Sequence, residues 1–99
     1  MTLSVLTLNL WHDSGPYEKR VERIRDWIDR LDPDLIGFQE ALRADGGSDQ
    51  VRELLGDRPY HVDYVEASRY QRAGSRFSPG GIGNAIASRW PIIVPFSPM

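Results

Sequence analysis

One pattern constrains the fold of this chain more than any other: an amphipathic helix that stands between two short apolar runs. Across Tyr17 to Leu31, apolar side chains recur at helical spacing at Val21, Ile24, Ile28 and Leu31, and the charged residues lie mainly off that stripe. Such a helix is stable when it buries one face against other elements. The pattern therefore predicts a helix over residues 17–31 that packs on a sheet.

The apolar runs on either side of this helix predict two strands. Leu3 to Leu10 is apolar on both faces, which is typical of a central strand covered on both sides. Leu35 to Gln39 follows Pro33, which cannot continue a helix, and predicts a short buried strand. A strand, a helix and a strand with tight connections form a βαβ unit, so the two strands should be parallel with a right-handed crossover.

The rest of the chain predicts shorter elements within one small domain of 99 residues. In chain order, we predict a turn at 45–47, a helix from Asp49 to Leu55 capped by Ser48, a strand from Tyr60 to Val65, a long loop from Ala67 to Gly83, a strand from Asn84 to Ser88 and another that begins at Ile92 to Val94.

Composition narrows the class of protein. The chain has no cysteine, which excludes disulfides and thiolate metal sites. All 14 acidic residues lie within residues 1–66, whereas residues 67–99 carry four arginines and no acid. A basic loop facing an acidic metal site would suit a phosphate-bearing substrate, and a solvated loop would look the same.

With neither a signal peptide nor a transmembrane segment predicted, we expect a cytoplasmic protein.

Two polar residues follow the predicted parallel strands. Ligands of parallel α/β units bind at the carboxyl ends of the strands, where Asn9 and Glu40 should meet. A carboxylate suits Mg²⁺, and an amide can orient a phosphate oxygen or a metal-bound water. A surface glutamate and a turn asparagine remain the alternative. His12 follows the first strand, near Asn9, and we interpret it as a loop histidine, with a role in the site as the alternative.

Three segments resemble the motifs of the endonuclease/exonuclease/phosphatase superfamily, in the family's order. They are Leu6 to Trp11 (LTLNLW), Asp34 to Glu40 (DLIGFQE) and Gly83 to Ile92 (GNAIASRWPI). The resemblance implies an α/β fold, here the N-terminal half of a four-layer αββα sandwich with a mixed sheet and flanking helices.

The resemblance also implies a function: hydrolysis of a phosphoester with Mg²⁺ (or Mn²⁺). Glu40 would be the metal ligand, with Asn9 beside it in the metal and phosphate network. Asn84 would shape the substrate cleft, and Arg76 of the arginine-rich loop is a further candidate for substrate binding. The substrate could be nucleic acid, a lipid headgroup or a smaller phosphoester.

The family's later motifs, Asp-x-Asn, Ser-Asp and Asp-His, do not follow the third motif in these 99 residues. In the family those motifs provide the catalytic base, so we expect the segment by itself to be inactive. A non-catalytic binding or interaction module that keeps half of the fold is the alternative. We also expect self-association through an unpaired sheet edge near Trp90 to Phe96.

Overall fold

A four-stranded mixed sheet and two helices make up the computed structural model, which describes residues 2–93. The elements follow the order β1 (Val5–Asn9), α1 (Tyr17–Leu31), β2 (Leu35–Ala44), α2 (Gln50–Leu55), β3 (His61–Tyr70) and β4 (Gly80–Ser88). The strands are arranged β1-β2-β4-β3 across the sheet. Neither helix of the described residues is long and apolar enough to cross a membrane.

The βαβ unit predicted from the sequence is confirmed. Helix α1 has the predicted bounds, and it ends where Asp32 takes a left-handed conformation ahead of Pro33. The Asp32 N–H donates to the Ile28 carbonyl at 2.9 Å, which closes the last turn. Strands β1 and β2 are parallel, with Asn9 opposite Gln39.

Strand β1 is not the central strand that the sequence pattern predicted. It pairs with β2 alone and forms one edge of the described sheet, and Val5 is 60% exposed. The apolar pattern on both faces of β1 predicted cover on both sides. Helices cover only one of those faces in the described residues.

Three strands are longer than the sequence predicted, and the long loop shrinks to residues 71–79. The glycine-rich run that predicted a loop is instead the first half of β4. A Cβ at Gly80 would lie 2.5 Å from the Arg43 carbonyl oxygen, and one at Gly83 would lie 2.0 Å from the Val65 carbonyl oxygen. These glycines allow β4 to approach both neighbouring strands, so they serve strand packing and not a turn.

Two smaller predictions were wrong. Asp49, not Ser48, caps α2, because its carboxylate accepts a hydrogen bond from the Arg52 N–H at 3.2 Å. Ile92 and Ile93 form no strand, so the expected sheet edge at Trp90 to Phe96 is absent as far as residue 93, and the rest of that segment lies outside the described residues.

The hydrophobic core lies between one face of the sheet and the two helices. It contains residues from every layer: Ile24, Ile28, Ile36, Phe38, Leu54, Leu55, Ala85 and Ala87. The opposite face of the sheet is open, and Val65 and Ile86 there are 64% and 53% exposed. The described residues therefore form one helical layer and one sheet layer.

Candidate active site

Glu40 lies in a β-bulge in the middle of β2. The pairing of β2 with β4 joins Phe38 to Ala85 and then Ala41 to Gly83, so two β2 residues stand opposite Asn84. Glu40 has a φ of +53°, a conformation that few residues other than glycine adopt. The sequence placed Glu40 at the end of a short strand, but β2 continues to Ala44. Because bulges re-aim side chains, this irregularity sets the direction of the Glu40 carboxylate.

Asn9 closes β1 beside this bulge. Its side-chain oxygen accepts a hydrogen bond from the Trp11 N–H at 2.8 Å, which starts the turn after the strand. The backbone then continues along β2, since Leu10 N–H donates to the Gln39 carbonyl at 2.9 Å. Asn9 is therefore paired with Gln39, the residue before Glu40, and a contact between the Asn9 and Glu40 side chains stays a prediction. The Asn9 NH₂ group carries the donors that could reach a phosphate oxygen.

The structure also brings His12 to Glu40, which sequence analysis did not predict. The His12 Nε2 atom lies 4.0 Å from a Glu40 carboxylate oxygen, and the two side chains are 30% and 39% exposed. The His12 N–H donates to the Glu40 carbonyl at 3.1 Å. His12 and Trp11 both have positive φ angles, and this tight turn is what returns the imidazole to β2. No short sequence motif predicts that turn.

Gln50, at the start of α2, holds the turn in place. It is fully buried, and its side-chain oxygen accepts from the Leu42 N–H while its NH₂ donates to the His12 carbonyl, both at 2.8 Å. Arg20 of α1 donates to the same His12 carbonyl at 3.2 Å. Sequence analysis missed Gln50. The available signal was a polar residue within the otherwise apolar buried face of a short helix.

Asp13 joins this turn to the loop between β3 and β4. Its carboxylate accepts hydrogen bonds from the Tyr70 hydroxyl at 2.5 Å and the Ser75 hydroxyl at 2.6 Å, and Arg72 lies 3.4 Å away. Burial by itself would raise the pKa of Asp13, but the two hydroxyl donors and the Arg72 charge outweigh it and lower that pKa. The two loops beside Glu40 are thus fixed to each other by a charged carboxylate.

Asn84 borders the same site from β4. With Glu40 it lines a shallow surface cavity of about 200 Å³, completed by Ala67, Ser68, Ile82 and Gly83. The Asn84 side chain is exposed, so a molecule in this cavity could contact it. Glu40 and Asn84, which were predicted separately, therefore line one concave surface together with the glycine-rich half of β4.

Arg76 lies elsewhere, on the helical side of the sheet. Its guanidinium pairs with Glu53 of α2 and stacks 4.4 Å from the Phe77 ring centre. Other arginines beyond residue 66 also pair with acids: Arg69 with Asp45 and Glu66, Arg72 with Asp13, and Arg89 with Asp32 and Asp34. Much of the predicted positive charge is therefore balanced locally. A substrate-binding role for Arg76 stays a prediction.

The donor set at Glu40 suits a hard divalent cation. Mg²⁺ uses one or two carboxylates and completes its octahedron with waters and substrate phosphate. Glu40 supplies one carboxylate, and Asn9 on the adjacent strand could hold a bound water. Within residues 2–93, no group of three or more His, Asp or Glu side chains converges on a metal-binding point. Water and substrate would therefore supply most of the ligands of a cation bound here.

Comparison with known proteins identifies the family. The profile of the Endonuclease/Exonuclease/phosphatase family matches residues 6–98, so the chain belongs to that family. Enzymes of this family act on phosphoester substrates and generally use divalent metals. Among curated proteins, no significant match was found.

A solved structure shows the fold. The crystal structure of an endonuclease/exonuclease/phosphatase from Beutenbergia cavernae DSM 12333 superposes with a TM-score of 0.67 at 24% identity. The match covers 92% of this chain but only 27% of that one. The resemblance stated from the three motifs is confirmed, and so is the predicted α/β fold class.

Proposed function

We propose that this chain carries the metal-anchoring part of a phosphoesterase active site, with Glu40 as the principal ligand of Mg²⁺ or Mn²⁺. The observation that carries the proposal is the bulge that turns Glu40 out of β2, between Asn9 on one side and Asn84 on the other. A strained glutamate in the middle of a strand has no evident packing role. Such strain clusters at functional sites, where the surrounding structure maintains it.

Each residue of the site has a distinct part in this proposal. A cation bound by Glu40 would polarise the phosphoryl oxygen and stabilise the leaving oxygen. The Asn9 NH₂ group would donate to a phosphate oxygen or to a metal-bound water and so orient the reacting group. Asn84, at the rim of the cavity, would contact the substrate beyond the phosphate. The base that activates water would come from the family motifs that these 99 residues lack.

The Glu40→Gln variant tests the proposal. The substitution keeps the volume of the side chain but removes the charge that attracts a divalent cation. We expect Mn²⁺ affinity, measured from the electron paramagnetic resonance signal of free Mn²⁺, to fall by more than about 100-fold, since losses of outer-shell partners already reach ~10–100-fold. Asn9→Ala should lose about 10–100-fold. Thermal melts would verify that both variants fold.

Glu22→Gln is the matched control, because Glu22 lies exposed on α1 and its substitution should change nothing. Hydrolysis of bis-p-nitrophenyl phosphate would be assayed with the natural protein at its full length. We expect metal-dependent turnover that Glu40→Gln abolishes. Wild-type Mn²⁺ affinity in Glu40→Gln would refute the site assignment.

A non-catalytic binding module is the second candidate. It rests on the sequence, in which the family motifs that provide the catalytic base do not follow the third motif. Such a module would bind the cation and a phosphate without turnover. Intact Mn²⁺ binding combined with no hydrolysis in the longest natural form would favour this candidate over the enzyme.

A further inference from the structure

We propose that His12 is a second protein ligand at this site, which gives it a mixed nitrogen and oxygen donor set that binds Co²⁺ or Zn²⁺ in addition to Mg²⁺. This inference rests on the proposed function, because it takes Glu40 as the first ligand. It adds a residue that the sequence pattern favoured as a loop histidine. Three features of the structure support it: the distance between the two side chains, the partner of the other imidazole nitrogen, and the rigidity of the turn.

The distance between the two side chains permits a shared metal ion. The His12 Nε2 atom and the Glu40 carboxylate oxygen are 4.0 Å apart. Bonds from nitrogen and oxygen ligands to a divalent transition ion are about 2.0–2.2 Å, so two ligands of one ion lie at most about 4.4 Å apart and about 3.4 Å apart at a tetrahedral angle. Both side chains are partly exposed, which gives them room for the small rotation that this closure requires.

The second imidazole nitrogen has the kind of partner that ligand histidines have. Ser14 Oγ lies 2.9 Å from His12 Nδ1. When Nδ1–H donates to that hydroxyl, the tautomer is fixed and the lone pair of Nε2 faces Glu40. Histidines that bind metals almost always donate their other N–H to such a partner, which fixes the ring and raises the basicity of the ligand nitrogen.

The turn that presents His12 is held from both sides. The His12 N–H bonds to the Glu40 carbonyl, so the two backbones move as one unit. The His12 carbonyl accepts from the buried Gln50 and from Arg20. This clamp maintains positive φ at both His12 and Glu40. Two strained residues that face each other across one backbone hydrogen bond form a preorganised pair, which suits a shared ligand.

The chemistry of the donors sets the expected selectivity. Mg²⁺ prefers oxygen ligands and keeps its waters, so His12 should contribute little to its binding. Imidazole suits the later first-row ions, whose affinity for nitrogen donors follows the Irving–Williams order. His12 should therefore raise the affinity for Co²⁺ and Zn²⁺ and leave the affinity for Mg²⁺ nearly unchanged.

Metal titrations of the 99-residue chain test this inference. Co²⁺ binding is followed by its visible absorbance and by the paramagnetic shifts of histidine ring protons, and Mg²⁺ binding by calorimetry. We expect His12→Ala and His12→Gln to lower Co²⁺ affinity by about 10–100-fold or more while Mg²⁺ affinity stays near the wild-type value, and Ser14→Ala to show a smaller loss for Co²⁺ alone. Circular dichroism melts verify folding. His61→Ala, at the other histidine, exposed on β3, is the matched control.

The result that overturns the inference differs from the one that overturns the proposed function. Unchanged Co²⁺ affinity in both His12 variants, or an equal loss for Co²⁺ and Mg²⁺, would exclude a ligand role for His12. If Glu40→Gln loses both ions while the His12 variants bind like wild type, only this inference fails. If Glu40→Gln binds both ions normally, the proposed site itself fails.

Discussion

The Gln50 side chain ties α2, β2 and the His12 turn together, and its substitution by methionine is the most informative perturbation of the site. Methionine has a similar length, so packing should be largely retained. It can neither accept from the Leu42 N–H nor donate to the His12 carbonyl, both of which Gln50 contacts at 2.8 Å.

The two lost hydrogen bonds differ in cost. The Leu42 N–H lies in a fully buried residue, and a buried donor left without its partner costs about 1–3 kcal/mol. The His12 carbonyl still accepts a hydrogen bond from Arg20. Losing the second hydrogen bond, from Gln50, therefore costs nearer the net value of one hydrogen bond, about 0.5–1.5 kcal/mol. We therefore expect Gln50→Met to lower the free energy of unfolding by about 1.5–4.5 kcal/mol. That is a large fraction of the roughly 5–15 kcal/mol typical of a domain.

Urea denaturation measures this free energy, and hydrogen exchange of the Leu42 and His12 amides locates the loss. Exchange at both amides should accelerate more than exchange in α1. Gln71→Met, in the exposed loop after β3, is the control and should stay within about 0.5 kcal/mol of wild type. A loss below about 0.5 kcal/mol in Gln50→Met, with unchanged protection of the Leu42 amide, would refute the reasoning.

Three further predictions concern the surroundings of the site. Because the pKa of Asp13 is lowered in the folded chain, its stabilisation should be present above its ordinary pKa of about 3.9 and disappear as pH falls through the lower folded value. Asp13→Asn should therefore cost about 1–3 kcal/mol at pH 7 and less at pH 3 in urea titrations, and an equal cost at both pH values would contradict this. Gly83→Ala should lower the free energy of unfolding by about 1–3 kcal/mol, because the new Cβ would meet the Val65 carbonyl oxygen. Gly46→Ala, in open space, is the control and should be neutral. Similar melting temperatures for the two variants would be evidence against the packing argument. The open sheet face at Val65 and Ile86 and the edge strand β1 should make the 99-residue chain self-associate, and Val65→Lys should weaken that association; sedimentation showing a monomer at every concentration would exclude it.

Local patterns in the sequence were enough to predict α1 and the parallel βαβ unit. The helix bounds were predictable because a 3.6-residue apolar period and a following proline both act within a few residues. The position of Asn9 opposite Gln39, next to Glu40, followed from strand direction, since parallel neighbours present the same end. Family membership was predictable from three motifs whose residues stand in order along the chain.

The sequence was misleading where distant segments decide the structure. The glycines of β4 allow the close approach of Val65 and Arg43, which are remote in the chain, so a local pattern could only predict a loop. Strand β1 is apolar on both faces, but the number of layers that cover it depends on what packs there. Ser48 and Asp49 are both good caps by type, and only the backbone geometry chose between them.

By itself, then, the sequence determined which residues form the βαβ unit and which two polar residues end up on neighbouring strands. Only the tertiary structure decided how the site is built. It set the bulge that turns Glu40 outward and the left-handed turn that brings His12 to within 4.0 Å of it, and it buried Gln50, which bonds to the His12 carbonyl and to Leu42 of β2. The physical reason is the range of the interactions. Periodicity, capping and strand direction act between near neighbours, whereas a bulge and a clamped turn persist only because hydrogen bonds from other elements, α2 and β4 among them, outweigh the local backbone strain.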